Sequence, residues 1–293
     1  MERFTIDVDG PVSIVDHGGE GPLIVCVHGL EGSAYNWNLI APELTKTHRV
    51  VAPDLSGFGY TPPVDRGSAV EVNADLVAGV IKHFGDRAIV IGNSMGGLIS
   101  ILAATRHPDL VAGLVLVNPA APVTNWFSVR PAAVARLSTP IIPVVGGRAI
   151  DAYRATQTPE QSVDEGLAFV CAEPDKVDPR VREFGLEVSR LRRTQDWPTA
   201  ALVEAMNSIA PYVLWKRRFA KLLHQVSQPT LLIHGTEDAL VQVASAQWMA
   251  RERPDWTAAF FDGVGHVPMM ETPEKVLEVF NAWENATFAT AKA

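Results

Sequence analysis

Cysteine is scarce in this chain, with only Cys26 and Cys171 among 293 residues. Two thiols are too few for a disulfide framework, and Cys26 lies in an apolar run, where it is interpreted as a small core residue. Basic charge is also in short supply, because 25 lysines and arginines face 33 acids and leave a net charge of −8. A nucleic-acid partner selects a basic face, so this charge balance argues against one.

Long hydrophobic runs are lacking as well. No apolar run approaches the roughly 18 to 20 residues that a membrane span needs, so no integral membrane segment is expected. The first residues, Met-Glu-Arg-Phe-Thr-Ile-Asp, do not have the basic-then-apolar layout of a signal peptide, and we expect a cytoplasmic protein. The apolar share of 47% and the length suit one large globular domain, or one domain carrying an insertion.

What the chain does contain is a regular alternation of strand and helix patterns. Residues 4–15 alternate around an Asp-Gly-Pro turn and predict an antiparallel hairpin at a sheet edge. Continuous apolar runs that alternate with helical patterns indicate a parallel sheet covered on both faces, an α/β architecture. The predicted buried strands are 23–27, 49–53, the run of Ile and Val that begins at residue 88, 114–119, 228–235 and 256–261. The predicted helices outside the middle of the chain include 34–46, 243–252 and 274–285.

The alternation breaks from about residue 120. For about a hundred residues there is no clear buried strand, only helical patterns such as Val181–Arg193 and Thr199–Leu223. We therefore predict a core made of residues 1–120 and 226–293, with residues 121–225 as a helical insertion between two strands of one sheet.

The sequence Gly-Asn-Ser-Met-Gly at residues 92–96 fits the pattern Gly-x-Ser-x-Gly between a buried strand and a helix. A sharp strand-to-helix turn strains the backbone of Ser94 and leaves no room for side chains on either flank, which explains the glycines. The serine oxygen then stands alone at the carboxyl edge of the sheet. Ser94 is therefore the candidate nucleophile.

A nucleophilic serine needs a base and a carboxylate that orients the base. His266 lies on a glycine-containing loop after the last predicted strand, and Asp238 follows the preceding strand. Ser94, Asp238 and His266 thus all fall at the carboxyl ends of strands, where open α/β sheets bind ligands. The neighbouring Glu237 is an alternative carboxylate.

The reaction also needs hydrogen-bond donors aimed at a developing oxyanion. The N–H of Met95 faces that space by construction of the turn. Leu30 directly follows His28 and Gly29 at the end of an earlier strand and is positioned to supply a second N–H. We expect these two amides to form an oxyanion hole.

Taken together, these motifs resemble the α/β-hydrolase fold superfamily over residues 4–285. The motifs that match are His28–Leu30, Asp54–Gly59, Gly92–Gly97, His234–Asp238 and Gly265–His266. The resemblance implies a serine hydrolase with Ser94 as nucleophile, His266 as base, Asp238 as acid and an oxyanion hole formed by Leu30 and Met95. It also implies that the insertion after the sixth strand is a cap over the active site, and that no cofactor or metal is needed.

Other polar residues have simpler interpretations. His28 is expected to fix the oxyanion loop by hydrogen bonds, and Asp54 to tie down its own loop through backbone amides. The remaining histidines, among them His83, His107 and His234, are expected to be structural or solvated.

The basic clusters Arg190–Arg193 and Lys216–Arg218 are interpreted as solvated helix faces, with the alternative that one arginine reaches the pocket and binds a substrate carboxylate. Four aromatic residues of the insertion are expected in its core rather than against substrate, with the alternative that one or two line the entrance to the site. They are Trp126, Phe127, Trp197 and Trp215.

The identity of the nucleophile narrows the reaction. Haloalkane dehalogenases and epoxide hydrolases of this fold carry an aspartate where Ser94 stands, so those activities are not expected. The serine turn, Gly92–Gly97, is similar to that of the meta-cleavage-product hydrolases, which cleave carbon–carbon bonds. Those enzymes, however, usually have a tryptophan after the catalytic histidine and a more glycine-rich oxyanion loop. Here Val267 follows His266, and the segment Gly265–Pro273 is more similar to small esterases and monoacylglycerol-type lipases.

We therefore predict an esterase or lipase-like enzyme acting on apolar small-molecule esters of short or medium acyl chain. Carbon–carbon bond hydrolysis is the main alternative. Cofactor-free peracid chemistry would use the same three residues, and a non-catalytic binding protein of this fold is a further alternative.

Overall fold

A computed structural model describes residues 1–85, 87–124, 139, 142 and 145–288. Its centre is a sheet of eight strands in the order β1-β2-β4-β3-β5-β6-β7-β8. The hairpin β1–β2 is antiparallel and β2 pairs antiparallel with β4, whereas the pairs from β4 through β8 are parallel. The strands are β1 (Glu2–Asp7), β2 (Pro11–Gly18), β3 (Leu23–Val27), β4 (Arg49–Pro53), β5 (Ala88–Asn93), β6 (Val111–Val117), β7 (Thr230–Gly235) and β8 (Thr257–Phe261).

Helices cover both faces of this sheet, and β3 shows how the side chains divide. Val25 and Val27 belong to the apolar core on the side of the second and third helices, whereas Ile24 and Cys26 belong to the core on the opposite side. Successive strand residues point to opposite faces, so a strand covered on both sides must be apolar throughout. The helices are α1 (Ala41–Leu44), α2 (Val70–Phe84), α3 (Met95–Arg106), α4 (Val145–Thr156), α5 (Pro159–Val170), α6 (Pro179–Arg192), α7 (Pro198–Leu214), α8 (Lys216–Leu223), α9 (Val243–Glu252), α10 (Pro268–Glu271) and α11 (Pro273–Phe288).

The helices α4–α8 follow the sixth strand and precede the seventh, and we call them the helical insertion. The predicted fold class is therefore confirmed: a mostly parallel sheet, helices on both faces and a helical insertion after β6. None of the helices within the described ranges combines the length and apolar character that crossing a bilayer would require.

The predicted continuous helix over residues 34–46 is wrong. The chain instead forms a 3₁₀ turn, Ala34–Trp37, and then the four-residue helix α1. Pro42 lies in the first turn of α1, where its missing N–H is tolerated, but in the interior of a longer helix it would remove a hydrogen bond and clash with the preceding turn.

The pattern over Thr199–Leu223 is also interrupted, because α7 ends at Leu214 and α8 begins at Lys216. Trp215 separates them with non-helical backbone angles and is 59% exposed. Its predicted place in an insertion core is therefore wrong, while Trp197 is half-buried. Trp126 and Phe127 lie outside the described residues.

Candidate active site

Ser94 stands between β5 and α3 with φ +55° and ψ −118°, a strained conformation for a residue with a side chain. Backbone hydrogen bonds hold it there. Its N–H donates to the Val117 carbonyl at 3.1 Å, and its carbonyl accepts from the N–H groups of Gly97 and Ala120, each at 2.9 Å. The side chain is partly exposed at the carboxyl edge of the sheet. This is the geometry that a nucleophile needs.

The flanking glycines are required by close backbone contacts. A Cβ at Gly96 would lie 2.2 Å from the Val27 carbonyl oxygen, and one at Gly92 would lie 2.3 Å from the Gly96 carbonyl oxygen. Both distances are far below van der Waals contact. The spacing Gly-x-Ser-x-Gly therefore reflects how tightly α3 packs against β3 and β5.

Asp238 and His266 are in direct contact. His266 Nδ1 lies 2.7 Å from Asp238 Oδ2, and the carboxylate is fully buried. Burial alone would raise the pKa of Asp238, but the His266 ring and the Asn118 amide lower it below its usual value. An ionised carboxylate can only accept, so Nδ1 must donate, and in the neutral tautomer that this contact favours Nε2 is the acceptor that can serve as a base.

The second oxygen of Asp238 is held by the chain that follows it. Oδ1 accepts from the N–H groups of Leu240 at 2.7 Å and Val241 at 2.9 Å. The adjacent Glu237 is exposed, and its side chain lies beside a cavity of about 220 Å³ lined by residues 168–172 and Ala239. The contact with the histidine therefore belongs to Asp238.

Two asparagines join the loops that carry these groups. Asn93 Nδ2 donates to the carbonyls of Val117 and His266, each at 3.0 Å. Asn118 Nδ2 donates to Asp238 Oδ2 at 2.7 Å and to the Gly265 carbonyl at 3.1 Å. The residue next to Ser94 is thus tied to the backbone of His266 itself.

Sequence reasoning did not identify either asparagine as a site residue. The sequence carried two signals: Asn93 is the variable residue of the Gly-x-Ser turn, and Asn118 directly follows the apolar run of β6. In the structure Asn118 has a positive φ of 44°. Asparagine tolerates that conformation better than most residues.

The loop after β3 packs against the serine turn. A Cβ at Gly29 would lie 3.2 Å from Ser94 Cβ, and the Gly32 N–H donates to the Gly29 carbonyl at 3.1 Å to close a turn. Leu30 lies inside this turn, and the N–H of Met95 begins α3. Both candidate oxyanion donors are therefore on elements that adjoin Ser94.

His28 fixes this loop and Asp54 ties down its own loop, as predicted, and Asp54 also contacts the start of the 3₁₀ turn that follows the loop of His28. His28 Nδ1 lies 2.7 Å from the Gly29 carbonyl oxygen, and Nε2 accepts from the Leu55 N–H at 3.0 Å. Burial lowers the pKa of His28, so the ring stays neutral, with Nδ1 as donor and Nε2 as acceptor. Asp54 accepts from the N–H of Ala34 at 2.7 Å and of Tyr60 at 3.1 Å.

His234 has a supporting position near the same carboxylate. Its Nε2 lies 3.0 Å from the Val241 carbonyl oxygen and 3.6 Å from Asp238 Oδ2. Burial lowers its pKa, so it stays neutral and donates to the carbonyl. His234 is therefore structural, as expected.

The helical insertion touches the loop of His266 directly. The N–H of His266 donates to the carbonyl of Val170, the last residue of α5, at 2.7 Å. The N–H of Ala172 donates to Glu271 at 2.7 Å. The end of α5 therefore lies beside the candidate base.

The arginines and lysines of the two basic clusters do not all face solvent. Arg190 pairs with Glu160 at 3.0 Å on the surface of the insertion, as expected of a solvated face. Arg192 instead points to the core, where it donates to the Glu31 carbonyl at 2.7 Å. In the second cluster, Lys216 and Arg218 lie over the rings of Trp248 and Tyr212.

Within the residues that the structure describes, no group of three or more histidine, cysteine, aspartate or glutamate side chains is arranged to hold a metal ion. The groups that the site offers are a strained serine, a histidine–carboxylate pair and backbone donors. These are the parts of nucleophilic acyl-transfer chemistry.

Comparison with known proteins places this geometry in context. Residues 24–279 match the sequence model of the Alpha/beta hydrolase family. The chain is 32% identical over 276 residues to a pimeloyl-[acyl-carrier protein] methyl ester esterase of Aromatoleum aromaticum, covering 86% of this chain and 94% of that one.

A second relative and a solved structure represent two kinds of hydrolase. The chain is 29% identical over 248 residues to a 2-hydroxymuconate semialdehyde hydrolase of a Pseudomonas species, covering 80% of this chain and 78% of that one. A thermophilic esterase of Thermogutta terrifontis superposes with a TM-score of 0.74 at 25% identity, covering 98% of this chain and 99% of that one.

Proposed function

The chain belongs to the alpha/beta hydrolase family and is a hydrolase, and we propose that it cleaves carboxylic esters of small to medium acyl chains through an acyl-enzyme on Ser94. One observation carries the proposal. The buried Asp238–His266 pair is joined to the strained serine turn through the hydrogen bond from Asn93 to the His266 carbonyl. This connection supports the assignment of Ser94 as nucleophile, His266 as base and Asp238 as the carboxylate that orients it.

In the proposed mechanism, Ser94 Oγ attacks the ester carbonyl while Nε2 of His266 takes the hydroxyl proton. Asp238 stabilises the imidazolium that forms. The N–H groups of Leu30 and Met95 donate to the oxyanion of the tetrahedral intermediate. His266 then returns the proton to the leaving alcohol, and water activated by the same base releases the acyl group.

We also propose that residues 121–225 form a cap over this site, on a core of residues 1–120 and 226–293. The support is the contact between the end of α5 and the His266 loop, together with the ion pairs of α4 and α6 with Glu31 in the turn of Leu30. A substrate that reaches Ser94 would then contact the helical insertion, which would set acyl-chain preference.

Ester cleavage is preferred over carbon–carbon cleavage for two reasons. The relative with 32% identity is a methyl ester esterase, and Arg192, the arginine of the first basic cluster that turns inward, is already engaged by the carbonyl and carboxylate of Glu31. Carbon–carbon hydrolysis is the second candidate, favoured by the relative that acts as a 2-hydroxymuconate semialdehyde hydrolase.

The test is turnover of p-nitrophenyl esters from acetate to palmitate and of methyl esters of medium-chain acids, beside a 2-hydroxy-6-oxo-dienoate. We expect ester turnover at least about tenfold above dienoate turnover, and a loss in Ser94→Ala on the order of 10⁴-fold or more. Preference for the dienoate would support the second candidate. Undiminished rates in Ser94→Ala would contradict the mechanism, and silence on every substrate would favour a non-catalytic binding protein.

A further inference from the structure

The turn that carries Leu30 is clamped from outside by two arginines of the helical insertion. Arg154, on α4, pairs with Glu31 Oε1 at 2.6 Å. Arg192, at the end of α6, donates to the Glu31 carbonyl at 2.7 Å and lies 3.5 Å from the same carboxylate oxygen. Both the side chain and the backbone of Glu31 are therefore held by the insertion.

Glu31 is an unusual residue for its position. It is the third residue of the turn closed by Gly29 and Gly32, and its φ is +57°. Turns with a positive φ at this place normally have glycine or asparagine there, because a Cβ disfavours the left-handed conformation. A glutamate at this position needs compensating contacts, and the two arginines supply them.

The clamp is built of side chains that are themselves fixed. Arg154 also donates to Thr199 Oγ1 of α7 at 2.7 Å. The side chains of Glu31, Arg154 and Arg192 are only 25–29% exposed, so water and salt screen these ion pairs less than they screen fully exposed ones. Two helices of the insertion thus reach Glu31 directly, and a third holds Arg154 in place.

We propose that Arg192 and Arg154 are positioning residues that set the oxyanion donor of Leu30, so that the hole is complete only when the helical insertion is docked on Glu31. This rests on the proposed function of Ser94 and Leu30. Arg192 fixes the carbonyl of the residue directly after Leu30, and a displacement of about 1 Å in such a donor can cost on the order of 100-fold in rate.

The test begins with Arg192→Met, measured by steady-state kinetics on an uncharged short-chain ester. We expect kcat to fall about 10-fold to 100-fold with KM changed less than about threefold, since the lost contact acts in the transition state. Affinity for a trifluoromethyl ketone, whose adduct places an oxyanion in the hole, should fall in parallel with kcat. Arg192→Lys, which can still donate to the carbonyl, should recover part of the loss.

A second variant separates the backbone contact from the side-chain contact. Glu31→Gly keeps a turn that accepts positive φ and keeps the carbonyl that Arg192 binds, but removes the carboxylate. We expect a smaller loss of kcat than in Arg192→Met. Arg154→Met should lower kcat in the natural chain and cause no further loss in the Glu31→Gly background.

Two variants on α6 serve as matched controls. Arg190 lies on the same helix as Arg192, and Arg190→Met removes its surface ion pair with Glu160 of α5. Glu187→Ala removes the acceptor of the Tyr35 and Tyr60 hydroxyls, a second contact between α6 and the core. Both should stay within about twofold of the natural kcat. An equal loss in Glu187→Ala would overturn the proposal, because docking in general and not the clamp would then be responsible.

Labelling of Ser94 by a fluorophosphonate distinguishes this inference from the proposed function. A natural chain that reacts no faster than Ser94→Ala contradicts both. If the natural chain is labelled, and folded Arg192→Met has the same labelling rate and the same kcat, the clamp is contradicted while the proposed function is not. A rise in KM confined to carboxylate-bearing esters would also overturn it, since the arginine would then bind substrate.

Discussion

The sheet and the outer helices of the insertion differ in how deeply their residues are buried. Every residue of β3, β5 and β7 is buried, whereas α5 has no buried residue within its twelve. Helices α7 and α8 join the apolar core through side chains such as Met206 and Phe219. Helix α6 and the segment after it also contact the core through polar groups, such as Glu187 with two tyrosine hydroxyls and Gln195 with the Gly59 carbonyl.

This difference separates two tasks. Close packing in the sheet leaves almost no freedom at its carboxyl edge, so the groups proposed to react are held by many neighbours at once. Helix α5 has no such packing, and the polar contacts of α6 with the tyrosine hydroxyls lie near the surface. Changes in the core should therefore alter chemistry or folding, and changes in the insertion should alter alignment and preference.

The largest expected effect contrasts two neighbouring carboxylates. Asp238→Asn should lower kcat/KM for a p-nitrophenyl ester on the order of 10³-fold to 10⁴-fold, because the amide no longer fixes the tautomer of His266. Glu237→Gln should stay within about twofold, since Glu237 is exposed and does not orient the base. Equal losses in the two variants would contradict the assignment of the acid.

The next largest effect should be a loss of stability when a methyl group is added in the first turn of α3, next to Ser94. Gly96→Ala places a Cβ against the carbonyls of Val27 and His28, at 2.2 and 2.5 Å in the unrelaxed structure. We expect the free energy of unfolding to fall by about 1–3 kcal/mol or more, measured by urea denaturation. Unchanged stability would mean that α3 can move away from β3.

Acid should weaken the core before it weakens the ion pairs of the insertion. Burial lowers the pKa of His17 to about 4, while the same group in the unfolded chain titrates near 6.5. Between these values the unfolded chain binds a proton that the folded protein does not, so the free energy of unfolding falls as pH drops from 6.5 to 4 and is level above 6.5. The buried rings of His28 and His234 act in the same sense.

The thermal unfolding midpoint measured between pH 8 and pH 4 checks this expectation. It should be constant down to about pH 6.5 and then decline, less steeply in His17→Gln than in the natural chain. Burial raises the pKa of Glu271, which opposes part of this decline, because the folded protein then binds a proton that the unfolded chain does not. In the insertion, Arg180 holds the pKa of Asp178 at about 2, so that pair stays charged throughout this window. A midpoint that rises on acidification would contradict the assignment.

The smallest expected effect is a gain in stability from a substitution in the insertion. Gly166 lies in the interior of α5, and a Cβ there would meet no atom within 4 Å. Gly166→Ala should raise the free energy of unfolding by about 0.5–1 kcal/mol, because alanine favours the helix and loses less entropy on folding. Urea denaturation of Gly166→Ala and Gly96→Ala gives both changes in the free energy of unfolding under the same conditions. A loss of stability in both variants would contradict the expected difference between the insertion and the core.

The parts of the fold that were predictable are those governed by local pattern. β3 was predicted at its observed bounds because a strand buried on both faces must be apolar at every position. The helix over 34–46 was predicted wrongly because apolar spacing outweighed Pro42 in the interpretation.

The parts of the site that were not predictable depend on contacts between distant residues. Ser94, Asp238 and His266 could be proposed because each follows a strand. The contact of Asn118 with Asp238, or of Arg192 with Glu31, spans more than a hundred residues and leaves no periodic trace. Only the packing of α6 onto the core shows that Arg192 faces inward while Arg190 faces water.

The position of the insertion also sets an order of events during synthesis. β6 pairs with β7 through contacts such as Leu114 with Thr230, so the ribosome must make the whole insertion before this side of β6 gains its neighbour. Until then the nascent chain has the serine turn without the proposed base, and an apolar strand with an open edge. The emerging polypeptide thus lacks part of the proposed site and is exposed to aggregation for as long as those residues take to translate.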